Sequence, residues 1–419
     1  MDELKTNVLY YGDNLEVIHK YIPDNCIDLI YIDPPFFSSK AYEIIYGDAK
    51  EVRMFEDRWK GDVYHYVNWM EPRLAQMHRV LKPTGSIYVH LDWHAVHYIK
   101  IAMDRIFGDE NFRNDIIWHY TGRRMKGQNK FNAKHDTILF YGKSNKAKIL
   151  NYPTELYSRE EYITMKKQEV HKDEDGREWI WGHAGKGKSH HYRIYIDEVT
   201  KTGRAIDDVW DIPIINTSAK ERLGYPTQKP EALLKLIIEA SSGPRDIVAD
   251  FFCGCGTTLA VAQLLGRKWI GCDVSPTALK LVKQRLIKYG ATNIEEVGVP
   301  KSLEDLKTMK PFEFQNYVIS FIQGMQNPKL TGEGGIDGWT VFNRYPLQVK
   351  QQEHVGRPEI QKFQSAIRAE KKDKGYFFAF SFSKPAHEEA ARCKQEENIE
   401  IELHEVQKLM TADPVPSFL

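Results

Sequence analysis

The segment from Asp246 to Gly266 restricts the fold of this chain more than any other stretch. It reads DIVADFFCGCGTTLAVAQLLG: an apolar run that ends in Asp250, a turn with two glycines, and an apolar helix pattern. Strand, glycine turn and helix in this order are typical of a parallel α/β sheet, where nucleotides bind at the carboxyl ends of the strands. Because glycine has no Cβ, the backbone of such a turn can approach a ligand closely. The segment predicts an α/β fold with a ligand loop, although the glycine pair alone also fits an ordinary tight turn.

The next apolar run, KWIGCD, adds a second half to this fingerprint because it ends in Asp273. A carboxylate at that position can accept hydrogen bonds from both hydroxyls of a ribose. Phosphate is a poor ligand for the loop, since Asp250 precedes it and no Gly-Lys-Ser/Thr follows. A positively charged nucleoside suits the acidic rim better.

A separate apolar run, LIYID, ends in the tetrapeptide Asp33-Pro34-Pro35-Phe36. The two prolines fix φ and remove backbone donors, so the turn presents acceptors, namely the Asp33 carboxylate and a peptide carbonyl. Two acceptors match the two hydrogens of an amino group on a nucleobase, and Phe36 can stack on a base extruded from a duplex. A turn with a capping aspartate would show the same residues, so the tetrapeptide alone leaves both interpretations open.

Composition excludes several classes of protein. The chain has 58 basic and 58 acidic residues, so any contact with nucleic acid must depend on charge gathered locally. Five cysteines, an odd number, do not indicate a disulfide framework, and they favour the reducing cytoplasm. The beginning of the sequence does not resemble a secretory signal, and we find no apolar run long enough for a membrane span.

Residues 121–222 differ in character from the α/β pattern on either side. Lys, Arg, His and aromatic residues are crowded together there, as in HYTGRRMKGQNKFNAKHD, and periodicity is poor. A solvated, loop-rich insertion would have this composition. A surface that contacts phosphates would also have it.

The order DPPF, then TQKP at 227–230, then FCGCG resembles the β class of the amino-methylating DNA methyltransferases, which modify N6 of adenine or N4 of cytosine. The similarity covers residues 7–289. The resemblance implies a Rossmann-like sheet of seven strands in mixed orientation, S-adenosylmethionine as cofactor, double-stranded DNA as partner, and a target recognition domain inserted at 121–222. It also implies a homodimer as one form of assembly.

The resemblance assigns roles to individual positions. The catalytic positions that it implies are Asp33, Pro34, Pro35 and Phe36. The cofactor-binding positions that it implies are Asp13, Thr227, Gln228, Lys229, Asp250, Phe252, Gly254, Gly256, Thr257 and Asp273. The chemistry would be direct methyl transfer to the exocyclic nitrogen, and no cysteine follows a proline as cytosine C5 chemistry would require. Asp before Pro-Pro is commoner in the adenine enzymes, so N6 of adenine is favoured and N4 of cytosine is the alternative.

The C-terminal region contains a second candidate site. Asp337 precedes the β-like run PLQVK. Gln348 and Lys350 are two residues apart in this run, so their side chains lie on the same face of the strand. This stretch is similar to the Mrr-type branch of the PD-(D/E)xK nucleases, which uses Gln where other branches use Glu. The resemblance implies an α/β restriction-endonuclease-like domain with Asp337, Gln348 and Lys350 as its nuclease residues, and with Mg²⁺ on Asp337 and Gln348. Gln315 stands where Mrr-like domains commonly have Glu, which weakens the expected metal site.

These patterns divide the chain into a catalytic domain (1–120 and 223–296), the recognition insertion (121–222), a linker (297–310) and the nuclease-type domain (311–419). Two other functions compete with DNA methylation. One is a DNA-binding or restriction protein whose methyltransferase fold is inactive. The other is methylation of RNA or a small molecule. A hairpin with a surface lysine is the alternative to a nuclease site at the C-terminal end.

Overall fold

The computed structural model describes the backbone of residues 4–35, 41–46, 51–56, 63–121, 131–183, 191–216, 218–223, 227–322, 324–327, 335–340 and 343–411. Across these ranges, every helix is too short or too polar to span a bilayer.

The strands and helices are numbered in chain order. The strands are β1 (Val8–Tyr11), β2 (Ile27–Ile32), β3 (Ala41–Tyr46), β4 (Glu51–Glu56), β5 (Leu81–Leu91), β6 (Phe112–His119), β7 (His135–Gly142), β8 (Thr154–Glu155), β9 (His171–Lys172), β10 (Glu178–His183), β11 (His191–Tyr195), β12 (Arg204–Ala205), β13 (Val209–Asp211), β14 (Ile247–Asp250), β15 (Lys268–Asp273), β16 (Glu295–Val297), β17 (Met325–Gln326), β18 (Gly338–Trp339), β19 (Pro346–Val349), β20 (Lys374–Ala379) and β21 (Glu400–Glu405). The helices are α1 (Asn14–Tyr21), α2 (Val63–Val80), α3 (Val96–Phe107), α4 (Arg159–Lys166), α5 (Ile196–Thr202), α6 (Glu231–Ser241), α7 (Thr257–Leu264), α8 (Pro276–Lys288), α9 (Leu303–Thr308), α10 (Pro311–Phe321), α11 (Arg357–Ala369), α12 (Lys384–Glu397) and α13 (Val406–Thr411), with a 3₁₀ turn at Asp109–Asn111.

The main sheet has the order β13-β6-β7-β5-β2-β14-β15-β1-β16 in the described residues. β7 runs antiparallel to β5 and β6, and the other pairings in this sheet are parallel. The inner seven strands, from β6 to β1, form the mixed sheet that the sequence implied, and the short strands β13 and β16 extend its edges.

Helices cover both faces of the main sheet. α1, α2 and α3 pack on one face through Ile18, Met70 and Ile99, which are fully buried. α6, α7 and α8 pack on the opposite face, where Ile237 and Leu259 are fully buried. A parallel strand buried on both faces reads as a continuous apolar run, which explains the sequence IDLIYI of β2.

Two strands of the main sheet lie within the predicted insertion. β7 and β13 both lie inside 121–222, yet both belong to the main sheet. The apolar run TILFYG of β7 is the physical reason, because it fills the gap between β5 and β6 and is largely buried there. The rest of the described insertion has its own small core around Tyr162, Ile180 and Ile196, packed beneath the sheet β11-β10-β9.

The C-terminal region forms a second α/β unit with the sheet order β17-β18-β19-β20-β21. α10 packs on one side of this sheet, and α11 and α12 pack on the other. The predicted linker at 297–310 contains helix α9, which begins at a capping box. Ser302 Oγ accepts from the Asp305 N–H, while the Asp305 carboxylate accepts from the Ser302 N–H.

The second unit contacts the main sheet near its β1 edge. The ring of Tyr317 on α10 meets that of Tyr11 on β1 edge to face, with centroids 5.8 Å apart. The hydroxyl of Thr277 on α8 donates to the carbonyl of Ser320, at 3.1 Å. The C-terminal unit is therefore packed against the same helix that follows Asp273.

Candidate active site

A cavity of about 300 Å³ opens at the carboxyl ends of β1, β2, β14 and β15. It collects residues from distant parts of the chain, as expected for the crevice of a parallel sheet. The predicted site residues that line it are Asp13, Asp33, Pro34, Pro35, Thr227, Lys229, Asp250, Phe252, Gly254, Thr257 and Asp273. The structure thus brings the turn after β2 and the glycine loop after β14 to one cavity. Phe36 lies outside the described residues.

Asp33 forms an ion pair with Lys229 just after the carboxyl end of β2. The ammonium of Lys229 donates to Asp33 Oδ2, and both side chains are at least four-fifths buried. Lys229 also donates to the carbonyl of Thr227, at 3.4 Å. The ion pair leaves Asp33 Oδ1 to accept from a ligand, and it connects the TQKP segment directly to the predicted catalytic turn.

Asp250 is almost fully buried at the end of β14. Thr258 Oγ1 donates to it at 2.6 Å and the Phe252 N–H donates at 3.1 Å. Burial raises its pKa to about 7, an effect that these two hydrogen bonds oppose and that the nearby carboxylates of Asp33 and Asp273 increase. A cationic ligand would relieve this accumulation of negative charge, whereas an anion would add to it.

The glycine loop is held by its neighbour Asp273. Gly254 has a positive φ of +48°, and its N–H donates to Asp273 Oδ2 at 2.8 Å. The Ser275 N–H donates to Oδ1, also at 2.8 Å. Both carboxylate oxygens are therefore fixed in place with lone pairs that remain available to a diol. Burial raises the pKa of this carboxyl.

Gly256 has a different role from Gly254. It lies at φ +73° just before α7, and a Cβ there would come within 2.8 Å of the side chain of Val282. It does not line the cavity as described. The position needs glycine for the packing of α7 against α8, which holds the ligand loop in shape.

Asp13 and Asn14 connect the loop after β1 to the rest of the site. Asp13 accepts from the Leu15 N–H, which caps α1, and from Arg73 at 2.5 Å. Asn14 donates to the carbonyl of Phe251 at 2.9 Å and accepts from Arg73 at 2.8 Å. Arg73 thereby ties the first loop to the glycine loop.

Gln228 lies between Thr227 and Lys229 but is not among the residues that line the cavity. Its amide donates to the carbonyl of Glu221 at 2.6 Å and accepts from the Leu223 N–H at 2.8 Å. These contacts brace the segment that carries Thr227 and Lys229. The cofactor contact of Gln228 stays a prediction.

Sequence reasoning missed Trp69 and Tyr31, which also line the cavity. The guanidinium of Arg73 lies 3.9 Å from the centroid of the Trp69 ring. Phe252 also packs against this tryptophan, with ring centroids 5.8 Å apart. The i, i+4 spacing of Trp69 and Arg73 on α2 was the signal available in the sequence.

The thiols of Cys253 and Cys255 are buried in the loop wall, and burial raises their pKa values. Both are therefore neutral near pH 7, unsuited to metal binding or nucleophilic attack. Among the residues that the structure describes, no three His, Cys, Asp or Glu side chains form a group that could hold a metal ion.

The insertion carries an aromatic and basic surface, formed by His171, Trp179, Trp181, His191 and Arg193. His171 stacks on Trp179 at 4.6 Å, and Trp181 meets Trp179 edge to face at 4.7 Å. Arg193 lies 4.7 Å from the Trp179 ring, and Trp181 is 41% exposed. Stacked aromatic rings with an adjacent guanidinium are typical of surfaces that contact nucleic acids.

In the C-terminal unit, Asp337 and Gln348 are in direct contact. Asp337 Oδ2 accepts from the Gln348 amide and from the Val349 N–H at 2.7 Å. Burial raises the pKa of Asp337, and the positive charge of Lys350 opposes that rise. The Gln315 amide reaches the backbone carbonyl of Asp337 at 3.5 Å. All three predicted nuclease residues are thus close together, with a neutral Gln315 beside them.

This fold and cavity define a class, the α/β proteins with a ligand crevice at the carboxyl ends of their parallel strands. Residues 27–284 match the family model described as DNA methylase, and the chain belongs to that family. Residues 306–412 match the model described as restriction endonuclease, of the Mrr type. Both resemblances inferred from the sequence, and the fold class, are confirmed.

Three curated proteins illustrate the similarity. The DNA adenine methyltransferase YhdJ of Escherichia coli is 29% identical over 300 residues, which cover 72% of this chain and 88% of that protein. The type II methyltransferase M.HinfI of Haemophilus influenzae is 30% identical over 312 residues, 70% of this chain and 74% of its own. The type II methyltransferase M.EcaI of Enterobacter cloacae is 32% identical over 322 residues, 67% and 69% of the two chains.

Proposed function

We propose that this DNA methylase transfers a methyl group from S-adenosylmethionine to N6 of adenine in double-stranded DNA. The observation that carries the proposal is the shared cavity: Asp33 and Pro34 line one side of it, and the glycine loop with Asp273 lines the other. A methyl donor held by the loop would face an amino group held by the turn. Bringing two reactants into such an alignment is worth up to ~7–11 kcal/mol of a reaction barrier.

The cavity has the chemistry that this cofactor requires. Asp273 offers two fixed carboxylate oxygens to a ribose, and Trp69 and Phe252 offer apolar surface to a purine ring. Asp250 and Asp33 supply negative charge toward a sulfonium and an ammonium. When bound, S-adenosylmethionine supplies a methyl group on a positively charged sulfur.

The residues of the turn hold the acceptor. Asp33 Oδ1 and a carbonyl of the Pro34 region accept the two amino hydrogens, which turns the nitrogen lone pair toward the methyl carbon. The nitrogen–carbon bond would form as the carbon–sulfur bond breaks, the sulfur would leave as the neutral thioether of S-adenosylhomocysteine, and the nitrogen would release one of its hydrogens as a proton to solvent. Lys229 keeps Asp33 oriented while the base enters.

Adenine is preferred to cytosine because Asp33 precedes the two prolines and because a similar curated protein is named a DNA adenine methyltransferase. The test is incubation of the protein with plasmid and labelled cofactor, followed by mass spectrometry of the nucleosides. We expect N6-methyladenine. Detection of N4-methylcytosine instead would show that cytosine is the substrate. The absence of any methylated nucleoside would refute the proposal.

We further propose that the target DNA contacts the aromatic and basic surface of the insertion. Trp181 and Arg193 are exposed enough to meet a base or a phosphate, and the entry and exit strands β7 and β13 fix the insertion to the sheet that bears the cavity. Residues 1–121, 131–142 and 209–296 then form the methylating domain, and 143–208 form the recognition segment. The implied homodimer stays a prediction.

A second activity, Mg²⁺-dependent cleavage of DNA, is proposed for the C-terminal unit. The contact between Asp337 and Gln348, with Lys350 nearby, is the specific observation in its favour. Mg²⁺ keeps several waters and uses one or two carboxylates plus substrate phosphates, so one carboxylate and one amide oxygen form a minimal set. The test is conversion of supercoiled plasmid to nicked or linear forms with Mg²⁺. A plasmid that stays intact would leave DNA binding as the function of this unit.

A further inference from the structure

A row of hydrogen-bonded side chains crosses the main sheet beside the cavity. The hydroxyl of Tyr31 lies 2.8 Å from His90 Nδ1, and His90 Nε2 lies 3.3 Å from Asp136 Oδ2. Tyr120 donates to the other oxygen of Asp136, also at 3.3 Å. Tyr31 and His90 are essentially fully buried, and Asp136 is mostly buried.

The strand register places this row next to the reaction site. Tyr31 on β2 precedes Asp33 by two residues, so both side chains lie on the same face of the chain. On the neighbouring strand β14, Ala249 pairs with Ile30, so the next residue, Asp250, lies beside Tyr31. Tyr31 therefore stands between the base-binding turn and the cofactor loop, and it lines the cavity.

The far end of the row fixes the direction of its hydrogen bonds. A carboxylate can only accept, so His90 Nε2 must carry the hydrogen that is shared with Asp136. A neutral imidazole has a single N–H, which leaves Nδ1 without one, so Nδ1 accepts from the Tyr31 hydroxyl. The only hydroxyl hydrogen of Tyr31 is then directed away from the cavity.

The phenol itself stays neutral. Burial raises the pKa of Tyr31 well above its ordinary value, and the charges of Asp33, Asp250 and Asp136 raise it further. Burial raises the pKa of Asp136, but the hydrogen bonds from His90 and Tyr120 and the charge of Lys229 lower it by more, so this carboxylate stays ionised. The row therefore keeps one polarity, and the oxygen of Tyr31, a residue that lines the cavity, keeps lone pairs that can accept a further hydrogen bond.

We propose that Tyr31 is a positioning residue whose oxygen accepts a hydrogen bond from the reacting groups, and that His90 and Asp136 hold it in this acceptor state. This inference rests on the proposed methyl transfer. The donor is a polarised hydrogen at the point where the two substrates meet. It belongs to the methyl group on sulfur, because Asp33 Oδ1 and the carbonyl of the Pro34 region already accept both amino hydrogens of the base.

The first test compares Tyr31→Phe with a matched control, Tyr88→Phe. Tyr88 is also a buried tyrosine of the main sheet, and its hydroxyl bonds Ser241 at 2.7 Å, but it does not line the cavity. With saturating DNA and cofactor, we expect Tyr31→Phe to slow the single-turnover methylation rate by about tenfold, the effect of one hydrogen bond lost in the transition state. Tyr88→Phe should keep the wild-type rate. Equal rates for Tyr31→Phe and the wild type would overturn the proposal.

The second test asks whether Asp136 acts through Tyr31. In Asp136→Asn the amide can donate as well as accept, so the His90 hydrogen is no longer confined to Nε2. We expect a decrease of about threefold in the single-turnover rate, and no further decrease when Asp136→Asn is added to Tyr31→Phe. If the two substitutions lower the single-turnover rate independently, so that their effects multiply, Asp136 does not act through Tyr31 and its assigned role is overturned.

Binding measurements test the source of the hydrogen. We expect Tyr31→Phe to weaken S-adenosylmethionine more than S-adenosylhomocysteine, which lacks the methyl group. An equal change in both affinities would overturn the proposal. The wild-type rate tests the proposed function separately, because a wild type that transfers no methyl group refutes that function and this inference together, whereas a normal wild type with a normal Tyr31→Phe refutes the inference alone.

Discussion

Asp33 pairs with a lysine and Asp337 contacts an amide, and both aspartates lie close to a strand. The two sites differ in how many separate segments of the chain contribute polar groups to them. Four strands bring Asp13, Asp33, Asp250 and Asp273 to the first site. In the second, Asp337 is the acidic member of a group completed by Gln348 and Lys350, with Gln315 beside it. A site can hold a ligand more firmly when several segments of the chain supply complementary groups, and more segments contribute to the site around Asp33 than to the one around Asp337. The experiments that follow test this contrast.

The largest effect should come from Asp33→Ala. Removing the acceptor that holds the amino group should lower methylation by at least ~10³-fold, because alignment supplies most of the rate. Cofactor affinity, measured by isothermal titration, should fall far less than the methylation rate, because the glycine loop and Asp273 are untouched. Retained turnover would contradict the role given to Asp33. Asp337→Ala is the control, since it alters the other site only.

Asp337→Ala should in turn lower the rate of Mg²⁺-dependent nicking by ~10²-fold or more, because the carboxylate is the strongest metal ligand of its cluster. Methylation by the same preparation should match the wild type. Plasmid gels and nucleoside mass spectrometry read the two activities in parallel. Nicking that survives in this variant, or that survives in EDTA, would assign the cutting to a different site or to a contaminant.

Asp273→Ala should weaken S-adenosylmethionine by ~30–100-fold, the effect of losing charge-assisted hydrogen bonds to a ribose. Asp273→Asn is the informative companion, because an amide can still accept one bond and should lose less affinity. If both variants bind the cofactor as tightly as the wild type, the ribose does not lie at Asp273.

Gln315→Glu should make the second site more like the first by adding a carboxylate beside Asp337. We expect tighter Mn²⁺ or Mg²⁺ binding and cutting that is ~10-fold faster, since hard cations prefer carboxylate to amide oxygen. Titration of the metal into the variant and into Gln315→Ala measures the change. A variant indistinguishable from the wild type would show that this position does not reach the metal.

The smallest effect concerns pH. The pKa of Asp250 is raised to about 7, so the folded protein holds a proton there between about pH 4 and 7 that the unfolded chain has lost. The stability contributed by this group is present below about pH 4 and is lost as the pH rises through 7. A cationic cofactor favours the ionised form, so its affinity should rise by up to ~10-fold per unit as the pH approaches 7 from below. Titrations at pH 6 and 8 measure this, and Asp250→Asn should remove the dependence.

Much of the main sheet could be predicted because strand, turn and helix follow one another along the chain. Asp33, Asp250 and Asp273 each end an apolar run, and parallel strands bring such ends to one edge. Strand β7 was missed because its apolar run lies within a strongly basic segment, and its partners β5 and β6 precede it.

The relay from Tyr31 to Asp136 could not be predicted, because its members are 59 and 46 positions apart and only the strand register brings them together. Gln228 shows the opposite case. The sequence motif suggested a ligand contact, whereas tertiary contacts with Glu221 and Leu223 orient the amide into its own loop.

The order of the main sheet has a consequence for the geometry of the two activities. The recognition segment leaves and rejoins the sheet through β7 and β13, while the nuclease-type unit packs on β1. From β13 to β1 there are seven strand intervals of about 4.8 Å, or about 34 Å, which is close to the length of one turn of B-form DNA. A duplex that lies along the sheet would therefore present the same groove to the recognition segment and to the nuclease-type unit.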